Sequence, residues 1–308
     1  MSFKLKRTKS LHKNLRRLAR EQLQDAITAL RHPKRESRDE AVHTARRSCK
    51  KVRALLRLVR PVIGQRAYRH QNAKFRDVAR PLTEVRDAKI LIETLDKLAE
   101  HFQQHVTQRA VAGIRDALQA NLRRVRRRVL DEQEALASAA AAIEQAQERL
   151  DDWADVPDKW PSLGRGLLNT YDAAAAAFAI ADDHGSDEQL HEWRKQAKYL
   201  RYQLQVLRPA WPERIEELAE EADRLGTLLG DDHDLVVLRV TIGDTEPFTD
   251  DAANELLLAL IERRRRELQE EARLLGRKYF GEPGKRFVRR LKGYWKTWRS
   301  AGFAATVA

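Results

Sequence analysis

His43-Thr44-Ala45-Arg46-Arg47-Ser48-Cys49-Lys50-Lys51-Val52-Arg53 returns in altered form as His191-Glu192-Trp193-Arg194-Lys195-Gln196-Ala197-Lys198-Tyr199-Leu200-Arg201, with residue numbers 148 higher. Both stretches begin with histidine, carry cations at their fourth, eighth and eleventh positions, and continue to an Arg-Pro pair, Arg60-Pro61 or Arg208-Pro209. A second matched pair, residues 82–87 and 229–234, follows at an offset of 147. Two matches in the same order indicate two copies of one structural unit.

The hydrophobic pattern predicts an all-α protein. Apolar residues recur at three- and four-residue spacing in segments rich in Leu, Ala, Arg, Glu and Gln, and alternating β-branched runs are nearly absent. The predicted helices cover residues 8–31, 38–60, 64–79, 83–104, 107–150, 161–182, 187–208, 211–229, 233–240, 251–276 and 285–300. Asp, Trp and Pro cluster at 151–161, which predicts a first repeat over 1–155 and a second over 156–308. A further loop is predicted at 243–250.

The charge of the chain is strongly positive and uneven. Lys and Arg number 59 against 46 Asp and Glu, a formal charge of +13. Residues 1–150 hold 35 basic and 17 acidic side chains (+18), whereas residues 151–308 hold 24 and 29 (−5). We therefore expect positive potential focused on particular faces, which is a statement about binding partners and not about fold.

Cysteine usage and hydropathy exclude several classes of protein. A single cysteine, Cys49, rules out a disulfide framework and a Cys-based zinc site. The longest apolar run, residues 173–181, is well short of the roughly 20 residues that span a bilayer. The opening residues lack the apolar segment of a signal peptide. We expect a cytoplasmic protein that neither enters a membrane nor carries a cofactor or metal.

On a helical wheel each repeated stretch has an apolar face and an opposite basic face led by histidine. Like charges three and four residues apart repel, and few acidic residues on these faces offset this repulsion. A solvated basic face is the ordinary explanation of one such stripe, but the same stripe in two copies favours an anionic partner. The candidate residues of the two faces are His43, Arg46, Arg47, Lys50, Arg53 and Arg57, then His191, Arg194, Lys195, Lys198 and Arg201.

These residue types suit repeated contact with phosphate. Guanidinium presents a planar donor fork to two oxygens, lysine adds a mobile charge, and histidine is easier to protonate beside a polyanion. No carboxylate or nucleophile is expected on the same faces, which argues against catalysis. Second-rank candidates are Lys74, Arg76, Arg80, Arg86 and Tyr202.

These residues resemble the CHAD family of histidine-bearing α-helical domains. The similarity rests on the two repeated stretches, with Tyr202 after the second, and on Arg86-Asp87 and Leu229-Gly230-Asp231, and it extends from about residue 11 to about 300. The resemblance implies one domain of two pseudo-symmetric antiparallel helical bundles, whose basic helices face a shared concave surface or pore. This chain departs from an even two-fold pattern, since Lys51 is matched by Tyr199 and Arg57 by Gln205.

The resemblance also implies a function. The basic faces would bind inorganic polyphosphate without catalysis, as an accessory protein of polyphosphate metabolism associated with granules or with polyphosphate-processing proteins. Three alternatives remain: an RNA- or DNA-binding helical module, a polyphosphate-processing enzyme, and a scaffold that recognises an acidic protein. The first would need aromatic platforms or groove-reading side chains, and the second a carboxylate cluster holding magnesium.

Three further features have a structural interpretation. Arginine runs at 123–128 and 263–266 predict either an extension of the phosphate path or faces that are solvated or paired with acids. Asp231-Asp232-His233-Asp234 invites a metal interpretation, but Gly230 is expected to end one helix and the aspartates to cap the next. Cys49 lies on the apolar face and is expected in the core.

Overall fold

The basic stretches lie in two long helices of an all-α protein. The computed structural model describes residues 3–33, 37–105, 108–183, 185–243 and 251–304, and in these ranges it contains helices and no strand. The α-helices are α1 (Leu11–Arg31), α2 (Arg38–Ile63), α3 (Gln65–Ala79), α4 (Thr83–His101), α5 (Gln108–Arg126), α6 (Ala135–Glu148), α7 (Pro161–Ala181), α8 (Asp187–Leu207), α9 (Pro212–Gly243), α10 (Asp251–Tyr279) and α11 (Gly284–Ala304). The all-α prediction is confirmed. The predicted loop at 243–250 falls almost wholly outside the described residues.

A core shared by neighbouring helices fixes the position of α2 and α8. Helix α2 packs against α1 and α3, α8 packs against α7 and α9, and α7 also contacts α2. The predicted apolar face of α2 is buried from Val42 through Cys49 and Val52 to Val59, so burial holds its basic face outward. The division into two repeats at residue 155, and a two-fold relation between them, stay predictions.

The prediction of one helix over 107–150 is wrong. After α5 the chain forms a π-helical turn, Arg127–Glu132, and Glu134 then adopts a left-handed conformation with φ of 48°. This break redirects the chain so that α6 packs along α1, burying Leu136, Ala140 and Ile143. Apolar spacing is kept on both sides of the break, so helical periodicity alone does not reveal it.

The predicted helix end at Gly230 and the capping role of Asp231 to Asp234 are also wrong, because α9 runs unbroken from Pro212 to Gly243. A Cβ atom at Gly230 would lie 3.2 Å from the Arg194 guanidinium, and one at Gly226 would lie 3.3 Å from the Lys198 stem. These glycines let α9 approach the basic side chains of α8 closely. They therefore report close packing inside a helix and not a turn.

Most arginines of the two runs, 123–128 and 263–266, form ion pairs with acidic residues, as one interpretation of these runs predicted. Arg126 pairs with Asp39 and Arg128 with Glu84. Arg265, only 6% exposed, binds Asp232 at 3.0 Å and also contacts Asp187. No helix among the described residues is long and apolar enough to cross a bilayer.

The close contact between α7 and α2 gives a test of the fold. A Cβ atom added at Gly166 would lie 1.7 Å from the Leu58 carbonyl oxygen, so Gly166→Ala must push the helices apart. We expect it to lower the free energy of unfolding by about 1–3 kcal/mol, as overpacking does. In contrast, Gly293 in α11 has open space around its Cα, so Gly293→Ala should stabilise by about 0.5–1 kcal/mol through helix propensity. Chemical denaturation of both variants checks the pair, and equal stabilities would contradict this contact.

Candidate functional site

The basic faces of α2 and α8 converge on one cluster of like charge. Arg46, Lys50 and Arg53 come from α2, and Arg194, Lys198 and Arg201 come from α8; we call these six the basic cluster. Lys50 lies close enough to Arg194, and Lys198 to Lys50, for each cation to disfavour the charge of the other. The structure therefore brings together the central candidates of both repeats.

The two central lysines are poorly solvated for their charge. Burial, followed by repulsion from Arg46 and Arg194, lowers the pKa of Lys50 to about 8. Burial, followed by repulsion from Arg194 and Lys50, lowers the pKa of Lys198 to about 7. Lys50 is nevertheless open to solvent. Crowding by protein and by neighbouring cations, and not enclosure, therefore disfavours the charged form of Lys50.

Neutral side chains of neighbouring helices orient the arginines of α2. Arg53 donates from Nε to Asn72 Oδ1 on α3 at 3.0 Å, and from Nη2 to the Tyr199 hydroxyl on α8 at 3.2 Å. Arg46 donates to the Thr83 hydroxyl at the start of α4 and to the Ala79 carbonyl at the end of α3. These partners are neutral, so they position both guanidinium groups without themselves cancelling the charges.

Carboxylates lie closer to the cluster than the sequence suggested. The expectation that none accompanies the basic faces is wrong for the assembled site, because α4 brings Asp87 and α9 brings Asp234 toward it. Burial raises the pKa of Asp87, and Arg46 and Lys50 oppose this rise. Burial also raises the pKa of Asp234, opposed by Arg194 and Lys198. The two carboxylates offset part of the positive charge without forming an ion pair of 4 Å or less with Lys50, Arg194 or Lys198 among the described residues.

Both leading histidines favour the neutral form. Burial, followed by Arg86, lowers the pKa of His43. Burial and the adjacent His233 lower the pKa of His191 to about 4. The rings of His191 and His233 lie 4.4 Å apart between centroids. In the free protein these imidazoles therefore add polar groups and little charge to the site.

Several buried N–H groups at the site have no protein partner. The Nε atoms of Arg57, Arg194 and Arg201 and the Nδ1 atom of His191 are buried without a hydrogen bond to any described residue. Arg57 stacks on the ring of Tyr199, 4.1 Å from its centroid, and Arg201 pairs with Asp223 at 2.7 Å. These guanidinium and imidazole groups therefore keep hydrogen-bonding capacity that the described residues do not use.

The remaining first-rank candidates lie at the edge of the cluster. Arg47 is exposed and contributes to the field at Lys51 and Tyr202. Lys195 is exposed and pairs with Glu192 on its own helix. Beside them, the second-rank candidate Tyr202 is buried, and its ring centroid lies 5.5 Å from the Arg201 guanidinium.

The second-rank basic candidates separate into two groups. Arg86 lies near His43 and contributes to the field at Asp87 and Asp234, while it pairs with Glu93 at 3.2 Å. The other three lie on or just after α3, where Arg76 pairs with Asp77 at 2.8 Å, Lys74 borders a groove against α6, and Arg80 is exposed. No described contact joins these three to the basic cluster.

Four residues near the site were not predicted from the sequence as site residues. The charges of Arg47, Asp25 and Arg201 all act on Lys51. Burial, followed by repulsion from Arg47, lowers the pKa of Lys51 to about 8. Asp87, His233 and Asp234 were read as parts of helix caps or repeat markers. The match between residues 82–87 and 229–234 was the available signal, since an aspartate ends both segments.

The arrangement can bind an anion strongly, because it combines repelling cations with unpartnered donors. Among the described residues no group of three or more His, Cys, Asp or Glu side chains is placed to hold a metal ion.

A family model describes the same helices. The CHAD domain model matches residues 15–243, from within α1 to the end of α9, which is more than half of the chain. The chain belongs to the CHAD domain family. Membership of this family supports a role related to polyphosphate. Helices α10 and α11 lie beyond the matched region.

Two mycobacterial proteins are similar in sequence. They are the uncharacterized protein MT2285 of Mycobacterium tuberculosis strain CDC 1551 / Oshkosh and the uncharacterized protein Rv2226 of strain ATCC 25618 / H37Rv. Each is 33% identical over 213 residues, which cover 65% of this chain and 39% of the relative. The match therefore spans about two-fifths of the length of these relatives.

A solved structure shares the fold. PptA from Streptomyces chartreusis superposes with a TM-score of 0.60 at 18% identity, covering 89% of this chain and 100% of that chain. At this sequence identity the likeness to PptA concerns the fold alone.

The lowered pKa of Lys198 predicts a pH dependence of stability. Lysine in the unfolded chain titrates near 10.4, so between about pH 7 and 10 the unfolded state binds a proton that the folded state lacks. The contribution of Lys198 to stability therefore rises with pH across this window. Lys198→Met should stabilise the protein at pH 7 and flatten the rise, as measured by denaturant unfolding at several pH values. Lys195→Met, at an exposed position of the same helix, should keep the slope of the unmodified protein, and an unchanged slope in Lys198→Met would contradict the burial of this charge.

Proposed function

We propose that this CHAD protein binds inorganic polyphosphate, and does not alter it, along the basic faces of α2 and α8. The observation that carries the proposal is the convergence of Lys50, Arg194 and Lys198. These three cations lie in one another's field without an ion pair of 4 Å or less among the described residues. A bound polyanion supplies the negative charge that the folded protein lacks there.

The geometry of the donors suits a chain of phosphates. Arg194 and Arg201 each have a buried Nε–H without a described partner, and a guanidinium binds two phosphate oxygens with parallel hydrogen bonds. Arg53 is oriented by Asn72 and Tyr199. Both of these side chains are neutral, so the charge of Arg53 stays available to a ligand. Binding to such a site releases counterions and weakens steeply as salt rises.

The central lysines link binding to protonation. A pKa of about 7 for Lys198 means that this side chain is only partly charged near neutral pH. A polyanion beside it favours the charged form, so binding takes up protons, and affinity rises as pH falls through the range set by Lys50 and Lys198. The full positive charge of the site then develops only when the ligand is present.

The proposal extends to the architecture and the cellular role. The two helices form one groove, with the repeats related by a pseudo-two-fold axis, and His43 and His191 contribute near its ends. The protein acts as an accessory factor at polyphosphate granules or beside polyphosphate-processing proteins. Family membership supports this role, and the unequal pairs, Lys51 against Tyr199 and Arg57 against Gln205, indicate that the halves contribute unequally.

Removing the centre of the cluster tests the proposal. We expect a variant with Arg46, Lys50, Arg194 and Lys198 changed to Ala to bind long-chain polyphosphate at least about tenfold more weakly and with a salt slope reduced by roughly 3, since each lost phosphate contact removes about 0.7–0.9. Isothermal titration at several salt concentrations measures both quantities.

The matched control removes four exposed cations elsewhere, with Arg214, Arg224, Arg277 and Lys278 changed to Gln. This control variant should keep its affinity within about threefold, because exposed charges at a distance are screened. Equal losses in both variants would reduce the proposal to a general charge effect. Stronger binding of RNA than of polyphosphate at matched phosphate concentration would favour the nucleic-acid alternative.

Replacing the two carboxylates near the cluster tests whether the protein only binds polyphosphate or also cleaves it. If Asp87 and Asp234 only moderate the positive field, the Asp87→Asn, Asp234→Asn variant should bind polyphosphate more tightly, by about three- to tenfold, because each lost negative charge removes a repulsion. Polyphosphate incubated with magnesium and the unmodified protein should keep its chain length on gels. Chain shortening that the double variant abolishes would instead identify an enzyme.

A further inference from the structure

Helix α11 carries a second basic surface that the cluster does not use. Lys285, Arg289, Lys292 and Lys296 are all exposed. At 100° per residue they fall within about 60° of one another and follow the helix for about 16 Å. We call these four residues the α11 ridge.

The α11 ridge is unfavourable for the protein alone. Helix α11 contains no acidic residue, and its ridge cations recur at three- and four-residue spacing, where like charges repel. Lys285 also lies in the first turn, at the end of the helix dipole that disfavours cations. Arg289, Lys292 and Lys296 form no ion pair within the described part of the chain, whereas the neighbouring Arg290 pairs with Glu282.

The opposite face of α11 holds the ridge in place. Phe287, Leu291 and Trp295 are buried, and the helix packs against α7. Trp295 contacts Trp160, with ring centroids 5.9 Å apart. Because this apolar face is already covered by the protein, the surface that α11 offers to a partner is cationic.

A path of contacts joins the ridge to the edge of the basic cluster. Lys51, beside Arg47 and Arg201, lies over the ring of Phe3 at 5.1 Å. Two residues later, the Leu5 N–H donates to the Val206 carbonyl at 3.0 Å. Residues 6–9 then present three exposed cations, Lys6, Arg7 and Lys9.

Arg299 of α11 completes this path. It donates to the Arg7 carbonyl at 3.0 Å and to the Lys9 carbonyl at 3.2 Å. Arg299 also pairs with Asp158, so it fastens residues 6–9 to the C-terminal part of α11.

We propose that the α11 ridge, continued by Lys6, Arg7 and Lys9, is a second binding surface for a long polyphosphate chain that also occupies the basic cluster. This inference rests on the proposed function and adds to it a basis for preferring long chains. Both parts of the second surface lie outside residues 15–243, the region that the CHAD domain model matches. A chain held at two surfaces gains affinity through effective concentration.

The chemistry of the ridge favours polyphosphate over nucleic acid. The exposed positions beside the ridge include Gly293 and Thr297, neither of which can stack on a base. The aromatic side chains Phe287 and Trp295 point into the core, with 1% and 8% exposure. Tyr294 and Trp298 are partly exposed but lie on the other side of the helix from the ridge. A surface that offers only positive charge recognises phosphate and leaves bases unread.

The test compares chain lengths in a ridge variant with Lys285, Arg289, Lys292 and Lys296 changed to Gln. We measure binding of a short polyphosphate that fits the basic cluster alone, of long-chain polyphosphate, and of single-stranded RNA. The unmodified protein should bind the long chain about 100-fold or more tightly than the short one. In the ridge variant, affinity for the long chain should fall about tenfold or more, while affinity for the short chain stays within about threefold.

The matched control is the variant with Arg214, Arg224, Arg277 and Lys278 changed to Gln, which removes the same charge from α9 and α10 and should keep the preference for long chains. Thermal unfolding shows whether the ridge variant folds, and its midpoint should equal or exceed that of the unmodified protein because repelling pairs are gone.

Equal long-chain affinity in the ridge variant and the unmodified protein would overturn the inference while leaving the proposed function intact. A ridge variant that loses RNA binding but keeps polyphosphate binding would assign the ridge to nucleic acid. Absence of polyphosphate binding by the unmodified protein would remove the proposed function, and this inference with it.

Discussion

Mutual repulsion between Lys50, Arg194 and Lys198 is the constraint on which the rest of the structure depends. Cations brought together near protein of low polarity repel more strongly than in water, so the folded state must hold them there by other interactions. The apolar faces of α2 and α8 supply these interactions, with Cys49, Val52 and Leu200 almost fully buried. On α2 and α8, burial of the apolar face therefore stabilises the folded state, and repulsion on the basic face destabilises it.

Neutral neighbours let the structure position cations without cancelling them. Gly226 and Gly230 allow α9 to pass close to Lys198 and Arg194, and the Tyr199 hydroxyl accepts from Arg53. An acidic partner in either place would have fixed the side chain and also removed its charge. Asp87 and Asp234 give a weaker compensation, because they act through the field on Lys50 and Lys198 and not through direct ion pairs.

Much of the fold and the centre of the site followed from the sequence, since both depend on periodicity within single helices. The all-α class and the apolar face of α2 were predictable in this way. The break at Glu134 and the continuity of α9 through Gly230 were not, because apolar spacing continues across a bend and a glycine in a helix looks like its end. Asp87 and Asp234 were missed as site residues for a related reason, since packing between helices brings them to the cluster.

The histidines that begin each basic stretch acquire a different role in the folded protein. Their protonation beside a polyanion seemed the natural expectation from sequence, but burial and His233 lower the pKa of His191 to about 4. A neutral imidazole adds no repulsion to Arg194 and Lys195, and it still donates one directed hydrogen bond. The described residues leave the Nδ1 atom of His191 without a hydrogen bond, so under the proposed function this ring contributes a polar group while the lysines and arginines supply the charge. Direction and charge are thus provided by different residues of the same helix face.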